Sequence, residues 1–166
     1  MMTRVAGFKM AAICCCFLAL AACSKKNQPD LDAGLNGSGL SSQAPGSKGQ
    51  FEKEIGDRVY FLNDQTDLTA EATDILTKQA AWLQQYKSVS IQVEGHADER
   101  GTREYNISLS ARRATTVRGF LIARGVVGSR ISSIAYGKER PVALCDAEQC
   151  WSQNRRAVTV ITGGAK

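Results

Sequence analysis

The sequence predicts an α/β two-layer sandwich, a small sheet of about four strands with helices packed on it. Three observations lead there. Side chains alternate with period 2 in runs at Val89–Glu94, Ile131–Tyr136 and Arg155–Ile161, and Arg58–Phe61 is a further strand-like run. Between them, apolar residues recur at three and four positions after Thr69 and again from Asn106 to Val117, the mark of helices with one buried face. The two kinds of run alternate along a chain of 166 residues, enough for one domain with short appendages.

The chain opens with Arg4 and Lys9, followed by an apolar run ending at Ala22 that falls short of the roughly 20 residues a membrane span needs. Residues 1–22 therefore read as a signal peptide. Leu20-Ala21-Ala22-Cys23 has the form of a lipoprotein cleavage box, with Cys23 taking diacylglycerol and an N-acyl chain; the alternative is an ordinary signal with an incidental cysteine. More than one acyl chain makes anchoring stable where a single chain is marginal. Residues 23–50 read as the acylated cysteine and a flexible tether, because from Ser24 onward the segment has five glycines, five serines, two prolines and no aromatic residue. As a coil it would span roughly 30 Å.

The domain is expected over 51–166. Arg58–Phe61 is its first strand, and the polar loop Asn63–Asp67 leads to an N-cap at Thr69. The first helix then presents Ala72, Ile75, Leu76, Gln79, Leu83 and Tyr86 on one face, with Trp82 at the core or its rim. Val89, Ile91 and Val93 face one side of the next strand, and Gly95 and Gly101 bracket a charged loop. In the second helix Asn106, Leu109, Ser110, Arg113 and Val117 share one stripe, three polar side chains beside two apolar ones. A purely structural stripe would be apolar throughout. Its polar half adjoins the loop carrying Asp98, so Asp98 and Arg113 put an anion and a cation at one cleft mouth, a setting that suits a zwitterion; the bland alternative is a surface ion pair. Gly125 supplies a left-handed cap after Phe120 and Leu121, and the last two strands follow.

The formal charge is +5, with 21 basic and 16 acidic residues; without Arg4 and Lys9 it is 19 against 16, or +3. This mild, scattered excess with 7% aromatic residues excludes a nucleic-acid surface, which concentrates both. Of six cysteines, Cys14, Cys15 and Cys16 leave with the signal and Cys23 is acylated. Cys145 and Cys150 remain, and in an oxidising compartment they can form a disulfide closing a short loop between the third and fourth strands. Zinc would need two further ligands, and the single histidine, His96, lies far off in sequence, so no metal is expected.

Asn106 to Val117 fits N-x-x-L-S-x-x-R-A-x-x-V at each fixed position and follows Gly95-His96-Ala97-Asp98; AYGKERP at 135–141 and SQNRRAVTV at 152–160 complete the pattern. Over roughly Arg58 to Ile161 the chain resembles the OmpA-like peptidoglycan-binding domain family, and within it the lipid-anchored, Tol-associated members. It departs from the family at Asn63, where a phenylalanine is usual. The resemblance implies a mixed sheet, a non-catalytic anchor between outer membrane and peptidoglycan with its domain in the periplasm, and a partnership with TolB and other Tol-Pal components in envelope constriction. No cofactor is implied beyond the lipid on Cys23. Ligand contacts would fall on Asp98, Asn106, Leu109 and Arg113. Asp98 would accept from the ammonium of diaminopimelate and the planar fork of Arg113 would take its carboxylate. Backbone amides around Leu109 and Ser110 would bind further oxygens, and Asp64 is a loop cap or a secondary contact. Replacing Asp98 or Arg113 by alanine should weaken binding while the fold persists. The rival reading is a hydrolase using Glu94, Asp98 or Glu99 as acid and base, but an open charged loop offers no burial to raise either pKa. His96 is expected to be a hydrogen-bonded structural residue, and Arg155 and Arg156 to fix the last strand beside the site.

Overall fold

The computed structural model describes residues 44–166. The signal peptide, Cys23 and the tether before residue 44 lie outside the described residues. The elements are helix α1 (Lys48–Gln50), running directly into a π-helical turn at Phe51–Gly56, then strand β1 (Arg58–Tyr60), helix α2 (Ala70–Gln85) and strand β2 (Ser90–Gly95). Helix α3 (Arg103–Ala123), a 3₁₀ turn at Gly128–Arg130, strand β3 (Ile131–Ala135), helix α4 (Glu148–Asn154) and strand β4 (Arg156–Gly163) follow.

The four strands form one sheet in the order β1-β4-β2-β3. It is mixed: β4 is antiparallel to both β1 and β2, while β2 and β3 run parallel. The parallel pair requires a crossover, and α3 supplies it. Ile91 and Val93 point inward from β2 and pack with Leu76 and Leu83 of α2 and Val117 and Leu121 of α3. Burying each such side chain contributes about 1.5–3 kcal/mol over leaving it exposed.

One polar residue on the apolar face of α2 is fully enclosed. Gln79 donates to Gly56 O (2.7 Å) and accepts from Thr159 Oγ1 (2.8 Å), so both ends of its amide are satisfied and the interior position costs little. Thr69 and Thr102 cap α2 and α3, accepting from the amides of Ala72 and Tyr105. Gly125, at φ +91°, closes α3 while Val126 N–H returns to Leu121 O at 3.0 Å.

Two expectations need correction. The tether does not extend to Gln50, because Ala44–Gln50 packs on the domain. Gln50 Oε1 accepts from Trp82 Nε1 (3.0 Å) and from Gly46 N (2.9 Å), Ser47 caps α1, and Gly46 O accepts from Lys166 N (3.1 Å). Composition measured the segment's small apolar content and missed that specific polar partners pin it. The segment between β3 and β4 also contains α4. Cys145 and Cys150 form a disulfide with a Cα separation of 5.6 Å, and α4 begins within the bridged stretch.

At the end of β2, Gly95 lets α3 approach the sheet backbone to backbone. A Cβ there would lie 1.9 Å from Ser110 O. Gly95→Ala should therefore lower stability by at least about 2 kcal/mol, read from the urea midpoint, since neither strand nor helix backbone can give way.

Candidate functional site

Where β2 ends, the chain turns out of the sheet. His96 N–H bonds Arg156 O and Ala97 N–H bonds Gly137 O, at 2.9 and 2.8 Å, which fixes the start of the loop; Lys138 Nζ holds its far side through Glu99 O and Gly101 O. This loop, the start of α3 and the Asn63-Asp64 turn wall a cavity of about 280 Å³. Asp98, Asn106, Leu109, Arg113 and Asp64, all sequence candidates, line it. Ser110 does not. It is buried, its Oγ donating to Ile107 O and accepting from Gly137 N, so its side chain braces α3 against the chain after β3.

Arg113 differs most from expectation. It is 0% exposed, and its guanidinium donates to Gln65 O (2.9 Å), His96 O (2.9 Å) and Leu62 O (3.3 Å). Burial pushes its pKa down to about 10, partly offset by Asp98, so it stays cationic at neutral pH. Three of its five N–H donors are committed to backbone carbonyls, and the residue lines the cavity. Removing it would strand three carbonyls, so Arg113→Ala cannot leave the fold untouched as the sequence reading expected.

Asp98 makes no ion pair with Arg113 among the described residues. Its carboxylate takes Arg100 Nη2 at 2.6 Å and Arg155 Nη1 at 3.3 Å on Oδ2, with Arg100 N–H at 3.1 Å on Oδ1. Burial pushes this carboxyl up, but the side-chain and backbone hydrogen bonds of Arg100, joined by Arg155, outweigh it and leave the pKa below the ordinary value. Asn106 Nδ2 donates to Arg100 O at 2.7 Å and ties helix to loop. Leu109 and Ser110 are interior residues of α3, which begins at Arg103, so their amides lie past the unpaired first turn and are not open donors.

The geometry also adds residues. Arg100 and Tyr105 line the cavity, Tyr105 Oη donating to Asp64, whose φ of 55° marks a tight left-handed turn. Asn63 accepts from Arg100 Nη2 at 2.6 Å. Behind them, the indole of Trp151 lies under the Arg100 guanidinium at 4.1 Å and donates to Glu99 at 2.8 Å, while Glu148 pairs with Arg155. Arg155 thus reaches the site itself as well as bracing the last strand. The Asp98-x-Arg100 spacing was a legible local signal; the contribution of α4 was not, since it arrives from some fifty residues away.

The OmpA family matches residues 60–155, more than half of the chain and the whole of this cavity. The chain belongs to the OmpA family. It is 55% identical to the peptidoglycan-associated lipoprotein of Mesorhizobium japonicum over 148 residues, covering 88% of this chain and 87% of that one. It is 54% identical to the peptidoglycan-associated lipoprotein of Brucella melitensis over 150 residues, with 90% and 89% covered. Among solved structures, the peptidoglycan-associated lipoprotein of Burkholderia pseudomallei superposes with TM-score 0.64 at 35% identity, covering 67% of this chain and 96% of that one. The α/β sandwich with its mixed four-stranded sheet is the OmpA-like fold of these relatives.

Within this OmpA-family domain His96 is buried, but not as a hydrogen-bonded residue: neither ring nitrogen has a hydrogen-bond partner among the described residues. Its Nε2 lies 3.7 Å from Glu94 Oε2, too far for a hydrogen bond, and its ring packs 5.5 Å from that of Tyr136. Burial, with Arg156 and Arg140 nearby, lowers its pKa to about 3. The single histidine makes the consequence easy to read. Its Cε1 proton resonance should not titrate between pH 8 and pH 5. The unfolded chain takes up a proton near pH 6.5 that the folded state refuses, so the contribution of neutral His96 is complete above that value and lost as pH falls toward 3. Denaturation midpoints across this range should decline accordingly.

Proposed function

We propose that this chain is a non-catalytic wall anchor: acylated at Cys23 in the outer membrane, with a periplasmic domain that binds the diaminopimelate of a peptidoglycan stem peptide. The observation that carries the reading is one cavity walled by Asp98, Asn106, Leu109 and Arg113, in a chain whose relatives are named peptidoglycan-associated lipoproteins. Diaminopimelate ends in an ammonium beside a carboxylate. Asp98, held anionic by its arginines, complements the first; Arg113 and the amide of Asn106 complement the second. Asp64 stands at the rim, held by Tyr105. A tether of at most twenty residues, from Ser24 to the packed segment at Ala44, would link lipid to domain and span roughly 25 Å as a coil.

The same reading places the chain in a Tol-Pal system, with TolB and the other components as partners, acting in envelope integrity and in constriction at cell division. The rival hydrolase reading is opposed by electrostatics. A general acid on a sugar needs a carboxyl with a raised pKa, whereas the pKa of Asp98 is lowered.

Calorimetric titration of the full chain, purified in detergent, with a diaminopimelate-containing muropeptide should show saturable binding. Asp98→Asn, close in shape, should weaken it more than tenfold, about 1.4 kcal/mol or more, with the fold intact. Binding unchanged by that substitution would remove the site assignment. Release of soluble fragments from intact peptidoglycan would replace the anchor reading with an enzymatic one.

A further inference from the structure

The Asp98 carboxylate is saturated. Oδ1 accepts from Arg100 N–H at 3.1 Å and Arg100 Nε at 3.3 Å, and Oδ2 accepts from Arg100 Nη2 at 2.6 Å and Arg155 Nη1 at 3.3 Å. An ionised carboxylate offers about four lone-pair sites, so an entering ammonium finds none open. One donor must leave.

The two arginines differ in their freedom. The Arg155 side chain is 6% exposed and is held also by Phe61 O and by Glu148. Removing it from Asp98 would abandon buried partners. The Arg100 side chain is 38% exposed, and its remaining holds are the surface side chain of Asn63 and the face of Trp151. The Arg100 end of the pair is open to solvent, so an ammonium can reach Asp98 and replace that contact as the arginine leaves it. Trp151 can keep hold of the displaced cation, because attraction to a ring face tolerates sliding where a two-pronged carboxylate contact does not.

We propose that Arg100 is an internal stand-in for the ligand's ammonium: it occupies Asp98 in the free protein and swings off it, over Trp151, when the ligand enters. This rests on the diaminopimelate reading above. Arg100 then sets the affinity threshold of the site. A ligand offering an amine alone exchanges one cation for another on Asp98 and gains little. A ligand that also brings a carboxylate to Arg113 and Asn106 makes contacts that Arg100 does not, and it alone gains enough to displace the arginine.

The test titrates the same diaminopimelate muropeptide into full-chain wild type, Arg100→Ala, Arg100→Lys and Trp151→Phe, followed by calorimetry and by tryptophan emission. Arg100→Ala keeps the backbone N–H on Oδ1 and removes the competitor, so it should bind about three- to fivefold more tightly. Arg100→Lys, with a single prong, should fall between it and wild type. Wild-type emission should change on binding. Trp151→Phe should lose that signal, because the other tryptophan, Trp82, is buried against Phe51 and Tyr86 away from the cavity. In Arg100→Ala the signal should shrink. Equal or weaker binding by Arg100→Ala, while wild type binds and Asp98→Asn does not, overturns the stand-in and leaves the anchor reading standing. No binding by wild type, or undiminished binding by Asp98→Asn, overturns both.

Discussion

The guanidinium of Arg113 is buried, and it joins three pieces of chain. Its donors reach Leu62 O and Gln65 O in the loop after β1 and His96 O just beyond β2, while its backbone belongs to α3. A buried charge is costly unless every face of it is satisfied, so the loop conformations that supply those carbonyls are selected together with the arginine. The cavity exists because that knot holds its walls. Arg113 therefore supports the fold around the cavity, and a binding role cannot be tested by deleting the residue.

Around Asp98 the logic is competitive. One buried carboxylate is shared by two arginines of unequal freedom, one enclosed and cross-braced by Glu148, the other exposed on Trp151. Both braces come from α4, which begins within the Cys145–Cys150 bridged stretch. A short disulfide-bridged segment, which by sequence is a connection between strands, thus supplies the outer supports of the site. Closing so short a loop contributes little chain entropy, about 2 kcal/mol.

The electrostatics divide binding from chemistry. Donors gathered on Asp98 hold it ionised, the state that attracts a cation and the opposite of what an acid catalyst needs. His96, the residue that most invites a catalytic reading by its type, is kept neutral by burial and by Arg156 and Arg140 nearby. Its ring nitrogens face neither the cavity lining nor a hydrogen-bond partner among the described residues.

The order of the four strands with α2 and α3, the caps at Thr69 and Gly125, the inward faces of β2 and α2 and the cluster Asp98, Asn106, Leu109 and Arg113 were legible in the sequence, because each follows from a local period or a short spacing. The pairing of those groups was not. The sequence puts Asp98 and Arg113 at one cleft mouth as an anion and a cation for a zwitterion, or else as a surface ion pair, and names no partner for either inside the fold. Only the folded arrangement shows Arg113 given to backbone carbonyls and Asp98 given to Arg100 and Arg155. The same holds for Ser110, which shares the stripe yet is turned to Gly137, and for Gln50 and Ser47, polar residues that composition assigned to a tether and hydrogen bonds assign to the domain. Periodicity reports which face of an element a residue occupies; what meets that face is decided by contacts between segments distant in sequence, such as Phe61 with Arg155 and Gly46 with Lys166, and these exist only once the chain has closed on itself.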